Sequence, residues 1–131
     1  MAATWSAPVR YAECDMQGIV FNAHYLLYAD EAMNAWCEQV GHPYPSLLER
    51  GLDTRVVASA LEWAAPARWG ELAEADAHAE KVGRTSFVVV FAIRVGERAC
   101  CTVRTTYVMT DHEGTPTPVP DDLRAAWLNG P

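Results

Sequence analysis

Asn22-Ala23-His24-Tyr25-Leu26-Leu27-Tyr28-Ala29-Asp30-Glu31-Ala32-Met33-Asn34-Ala35-Trp36-Cys37-Glu38-Gln39-Val40 carries the chain's one long helical pattern. Its apolar residues Tyr25, Leu26, Ala29, Met33, Trp36 and Val40 recur at helical spacing, while Asp30, Glu31, Asn34 and Glu38 hold the other side. The pattern predicts a helix over 22–40, about 18 residues or roughly five turns. Gly41 is the expected stop, and Pro43 and Pro45 forbid continuation. Ser46 to Arg50 is read as one further short turn.

Outward from this helix the chain reads as strand. Trp5 to Tyr11 is predicted as a first strand and Thr54 to Trp63 as a second. In Glu71 to Val82 two rules disagree. The Ala and Glu content favours a helix, but Ala73, Ala75, Ala77 and Ala79 alternate with Glu74, Asp76, His78 and Glu80. That period of two predicts a strand. Thr85 to Val95 and Ala99 to Thr110 complete the set, and Pro120-Asp121-Asp122 opens a short terminal helix, Asp121 to Leu128. One apolar-faced helix among so many strands implies an α+β domain over 1–131, with an antiparallel sheet wrapped around the helix. The sheet's edges and outer face favour dimerisation.

The segment just before the helix, Arg10-Tyr-Ala-Glu-Cys-Asp-Met-Gln-Gly-Ile-Val-Phe-Asn-Ala-His-Tyr25, carries the chemistry. It sets Asp15 in a turn after a strand and before a helix start. Free N–H groups at a helix N-terminus can hold an oxyanion. A nearby carboxylate can attack a carbonyl or activate water. On spacing alone Asp15 reads first as a turn or cap residue.

The bulk numbers set bounds. The chain has 131 residues, 50% of them hydrophobic and 21% charged, with a net charge of −7. Nucleic acid or an anionic membrane would want a basic surface, so neither is expected as a partner. The first residues, Met-Ala-Ala-Thr-Trp-Ser, lack a secretory pattern. The four cysteines at 14, 37, 100 and 101 contain no Cys-x-x-Cys pair. A reducing cytoplasm is the expected location.

Cys14-Asp15-Met16-Gln17-Gly18-Ile19-Val20-Phe21 followed by Tyr25 resembles the hotdog-fold acyl-CoA thioesterases of the 4-hydroxybenzoyl-CoA thioesterase type. Ala65-Pro66-Ala67-Arg68, Gly83-Arg84-Thr85-Ser86-Phe87 and Val119-Pro120-Asp121-Asp122-Leu123-Arg124 extend the resemblance along nearly the whole chain. It implies a long central helix wrapped by a five-stranded antiparallel sheet, in a homodimer or homotetramer with the active site between protomers. The implied reaction is hydrolysis of an acyl-CoA or acyl-carrier-protein thioester. Coenzyme A is part of the substrate, and no metal or separate cofactor is called for.

Residue by residue, Asp15 matches the family's catalytic aspartate, as nucleophile or as general base. The backbone N–H of Asn22 matches the amide that polarises the thioester carbonyl. His24 is a third catalytic candidate, to position water or bond Asp15. Many members read His-Ala-Asn-Tyr where this chain has Asn22-Ala23-His24-Tyr25. Gly18, Val20, Phe21 and Tyr25 are the candidates for substrate contact. Arg84, with Lys81, falls where the family places basic residues near the nucleotide phosphates. Trp36, Trp63 and Phe87 read as core or as walls of an acyl tunnel. Two alternatives remain: a hotdog-fold hydratase or dehydratase, faintly echoed by Asn22-x-His24, and a non-catalytic acyl or CoA-binding module.

Overall fold

In a computed structural model, which describes residues 3–131, strands follow the helix as the pattern demands; Met1 and Ala2, the start of the segment read for a leader, lie outside the described residues. The elements are β1 (Trp5–Pro8), α1 (Tyr25–Gln39), α2 (Tyr44–Glu49), β2 (Asp53–Trp63), β3 (Leu72–Val82), β4 (Ser86–Val95), β5 (Arg98–Thr110) and α3 (Asp121–Asn129). The five strands form one antiparallel sheet in the order β1-β3-β4-β5-β2. α1 lies across one face of it, which is the hotdog arrangement.

Period two decides which side chains meet the helix. Ala73 and Ala75 of β3 are buried, as are Phe87, Val89, Phe91 and Ile93 of β4. Across the β4–β5 ladder these β4 residues pair with Tyr107, Thr105, Val103 and Cys101, which are buried as well. The small alanines of β3 let α1 approach closely, and this packing is what their alternation encodes. From the helix side, Tyr25, Tyr28, Ala29, Ala32, Met33, Trp36 and Cys37 fill the gap. Trp127 of α3 closes one end of the core, 4.3 Å from Phe87 and 6.1 Å from Trp36 between ring centroids.

The helix end follows its local code. Gly41 takes φ +89, its N–H donates to Glu38 O (3.0 Å) and the His42 N–H to Cys37 O (2.9 Å). This is the Schellman closure that glycine permits. The helix beginning differs from expectation. Asn22–His24 form a separate 3₁₀ turn and the α-helix starts at Tyr25. Phe21, not Asn22, occupies the cap position of that turn. α2 begins at Tyr44, two residues before the expected Ser46, because a first helical turn tolerates Pro45.

The first strand is shorter than expected. Strand geometry ends at Pro8, although Val9 still exchanges bonds with Glu71 and Gly70. Tyr11–Glu13 then wind into a 3₁₀ turn that aims the following loop at the start of α1. No helix among the described residues is long and apolar enough to cross a membrane.

Candidate active site

The loop after that turn is a narrow hairpin. The Asp15 N–H donates to Ile19 O (3.0 Å) and the Gly18 N–H to Asp15 O (3.0 Å), with Cys14 bridged to Val20. Gly18 sits at φ +75, a conformation that a side chain would strain. The Asp15 carboxylate accepts the Gln17 N–H at 2.8 Å, an Asx turn that uses Oδ1 and leaves Oδ2 without a donor among the described residues. The turn-residue reading of Asp15 is therefore correct, and it is compatible with a chemical role for the other oxygen.

Asp15 lines a cleft of about 270 Å³ together with Val20, Asn22, Tyr25, Trp63 and Cys100. The floor is apolar, and the N-terminal turn ahead of α1 opens onto it. First-turn N–H groups lack intrahelical acceptors, and the helix dipole adds about half a positive charge there. Trp63 fixes this turn from outside: its indole N–H donates to the Asn22 carbonyl at 3.0 Å. That bond engages the carbonyl; within the turn the His24 N–H donates to Phe21 O (2.8 Å), while those of Asn22 and Ala23 take no backbone acceptor among the described residues. The Tyr25 hydroxyl accepts the Ala67 N–H (3.3 Å), tying the segment after β2 to the helix. Burial raises the Tyr25 phenol above its ordinary range, so it stays neutral.

Of the residues singled out from the sequence, Asp15, Val20, Asn22 and Tyr25 come together in this cleft. Gly18 makes the turn, and Phe21 lies half exposed beside it. His24 goes elsewhere: its Nε2 stands 3.3 Å from Glu13 Oε2 and its ring packs edge-on against Tyr28. It makes no hydrogen bond to Asp15 within this chain. Lys81, near the end of β3, and Arg84, in the β3–β4 turn, are exposed and line no part of the Asp15 cleft.

The sequence reading missed three participants. Trp63 was placed among core or tunnel residues, yet it is 54% exposed and holds the Asn22–His24 turn. Cys100 lines the cleft, and both it and its neighbour Cys101 belong to the buried core. The Cys14 thiol is pushed up by burial and by the charges of Glu13 and Asp15, the reverse of what a cysteine nucleophile needs. The third is Glu13, only 7% exposed. Its Oε1 accepts the Arg10 N–H and the Tyr28 hydroxyl, each at 2.8 Å, and Oε2 accepts Arg10 Nε at 3.1 Å.

Glu13 sets a pH dependence. Burial pushes its pKa up, but the Arg10 backbone, the Tyr28 hydroxyl, the Arg10 side chain and the His24 ring together pull it below the ordinary value. A carboxylate depressed in the fold contributes stability above its unfolded pKa of about 4.3, and that contribution is lost as pH falls through the folded value. Urea midpoints are expected to fall below about pH 4.3, and to fall less steeply in Glu13→Gln. The exposed Asp122 and Glu80 and the half-buried Glu71, each lowered by an arginine partner, act in the same direction but are screened. Superimposable acid limbs for the two proteins contradict the assignment.

The family model described as Thioesterase-like superfamily matches residues 9–127. An Aquifex aeolicus (strain VF5) protein provisionally named an esterase is 25% identical over 101 residues, covering 77% of this chain and 79% of its own. A Bacillus subtilis (strain 168) protein provisionally named an acyl-CoA thioesterase is 34% identical over 65 residues, 50% of this chain and 47% of that one. Among solved structures, a 1,4-dihydroxy-2-naphthoyl-CoA thioesterase from Synechocystis shares the fold with a TM-score of 0.83, at 20% identity over 97% of both chains.

Proposed function

The chain belongs to the thioesterase-like superfamily, and from that premise we propose that it hydrolyses an acyl-CoA thioester, with Asp15 as the reacting carboxylate and the turn at Asn22 as the oxyanion site. The observation that carries this is the shared cleft: Asp15, whose Oδ2 takes no donor among the described residues, and Asn22, in the turn ahead of α1, line the same space. A thioester needs little more. Sulfur donates weakly into the carbonyl and leaves readily as thiolate, so the barrier falls to a site that binds the oxyanion and supplies a nucleophile or a base. Asp15 either attacks the carbonyl carbon to give a mixed anhydride or takes a proton from attacking water. Both routes end in free acid and thiol.

The acyl group is assigned to the partner in a homodimer. β2 is an edge strand of eleven residues, and antiparallel pairing with its own copy sets the Trp63 end of one strand beside the Asp53 end of the other. The Asp15 cleft of one protomer then faces the partner's cavity between α1 and β2, about 310 Å³, walled by Tyr107 and Trp127 with Asp30 and Asn34 at its polar side. That wall favours a flat acyl group bearing a hydrogen-bond donor, in keeping with the 4-hydroxybenzoyl type. Arg84 and Lys81 are assigned to the nucleotide phosphates of coenzyme A.

The test is thiol trapping across aromatic, short, medium and long acyl-CoAs, with sedimentation of the same preparation. Turnover fastest on hydroxylated aromatic thioesters, from a dimer or a multiple of it, is the expected result. Thiol release no faster than background on every substrate overturns the hydrolase reading. Loss of enoyl absorbance without thiol release replaces it with hydration chemistry. Full activity in a monomer removes the shared site.

A further inference from the structure

We infer that Glu13 is the positioning residue that sets the Asp15 carboxylate against the oxyanion turn; the inference rests on the hydrolase reading above. Glu13 holds the far side of that turn twice. Its backbone carbonyl accepts the Phe21 N–H at 2.9 Å, and its carboxylate lies 3.3 Å from the His24 ring. Residues 21 and 24 bracket Asn22, whose N–H is the assigned oxyanion donor. Along the chain, Glu13 stands two residues before Asp15. A single residue thus joins the strand of the hairpin that carries the carboxylate to the turn that carries the amide.

The carboxylate is in turn fixed to the body of the fold. The Tyr28 hydroxyl, one helical turn into α1, donates to it at 2.8 Å, and Tyr28 packs on Trp5 of β1 with centroids 5.2 Å apart. The Arg10 side chain is exposed, so its ion pair adds little. The inward-facing hydrogen bonds come from Tyr28 and the Arg10 backbone, with the His24 ring beside them at 3.3 Å. Placing a charged side chain where it is 7% exposed is costly unless each donor has a fixed place. A gap at this position could be closed by a neutral side chain. What the carboxylate adds is a set of bonds that fixes three chain segments at once: the Tyr11–Glu13 turn, the Asn22–His24 turn and α1.

The distinction from a merely structural role is kinetic. A site displaced by about 1 Å loses about 10²-fold in rate while it still binds substrate. In Glu13→Gln the volume is kept and one oxygen remains for Tyr28, but an amide N–H₂ replaces the oxygen that faces Arg10 Nε and His24.

The experiment compares wild type with Glu13→Gln and Tyr28→Phe as folded proteins, well below their unfolding temperatures. It measures kcat, KM and the binding stoichiometry of a non-hydrolysable acyl-CoA thioether. Amide hydrogen exchange is followed at Asn22–His24. Glu13→Gln is expected to lower kcat about 10- to 100-fold with KM within about threefold and the stoichiometry per chain unchanged. Exchange at Asn22–His24 speeds up while β4 stays protected, and Tyr28→Phe moves the same quantities by a smaller amount. Wild-type kcat in Glu13→Gln, or a loss matched by fewer binding sites per chain, overturns this inference and leaves the hydrolase reading standing. A wild-type protein that turns over no thioester removes both.

Discussion

Asp15→Asn is expected to lower kcat by about 10³-fold while the protein stays folded. The asparagine amide oxygen still accepts the Gln17 N–H, so the Asx turn and the hairpin keep their shape. What disappears is the second oxygen and its charge. An amide neither attacks a thioester carbon at a useful rate nor takes a proton from water, so the loss is the same for either role of Asp15. The oxyanion turn at Asn22 remains, and with it residual catalysis above background. A loss of 10³-fold is about 4 kcal/mol of barrier. Steady-state kinetics on the best acyl-CoA, with circular dichroism of the same sample, measures it. An Asp15→Asn protein with more than about a tenth of wild-type kcat assigns the chemistry elsewhere.

The largest expected effect on stability is at Trp36. This side chain is wholly buried and lies against Trp127, itself packed on Phe87. Truncation to alanine empties the space between α1, α3 and the sheet, and a rigid sheet cannot collapse into it. Trp36→Ala is expected to cost about 3–5 kcal/mol. Trp36→Phe is the informative partner. The indole Nε1 of Trp36 is buried with no hydrogen-bond acceptor among the described residues, as is that of Trp127. Phenylalanine removes an unpaired donor, offsetting part of the lost volume, so its cost should stay below about 1.5 kcal/mol. Urea unfolding at one fixed protein concentration measures both, since assembly shifts apparent stability. Equal losses for the two variants refute the argument from the unpaired indole.

Sequence alone reached furthest where the code is local. The alternation in β3 outvoted its helix-forming composition, because alanine on one side is what lets α1 sit close to the sheet. Gly41 marked the end of α1 through backbone conformation alone. Asp15 was visible because its turn, its glycine and the following helix all lie within a dozen residues. What stayed hidden depends on contacts across long stretches of chain. The Asn22 turn is separate from α1 and is held by Trp63, 41 residues on. Trp63 resembles a core residue by composition, yet its edge strand leaves it exposed. Glu13 resembles an ordinary surface acid until Tyr28 and the Arg10 backbone close over it. His24 was linked to Asp15 by proximity in sequence, and the Tyr11–Glu13 turn gives it a different carboxylate.

One property of β2 reaches beyond catalysis. An eleven-residue strand at the margin of a sheet offers its outward N–H and C=O groups to any extended peptide, not only to its own copy. The chain blunts that hazard with charges at Asp53, Arg55 and Glu62 and with a bulge at Val57 that breaks the flat run. Self-recognition through this strand would therefore also be protection: a chain paired along β2 no longer offers this eleven-residue edge as a template for amyloid-like growth.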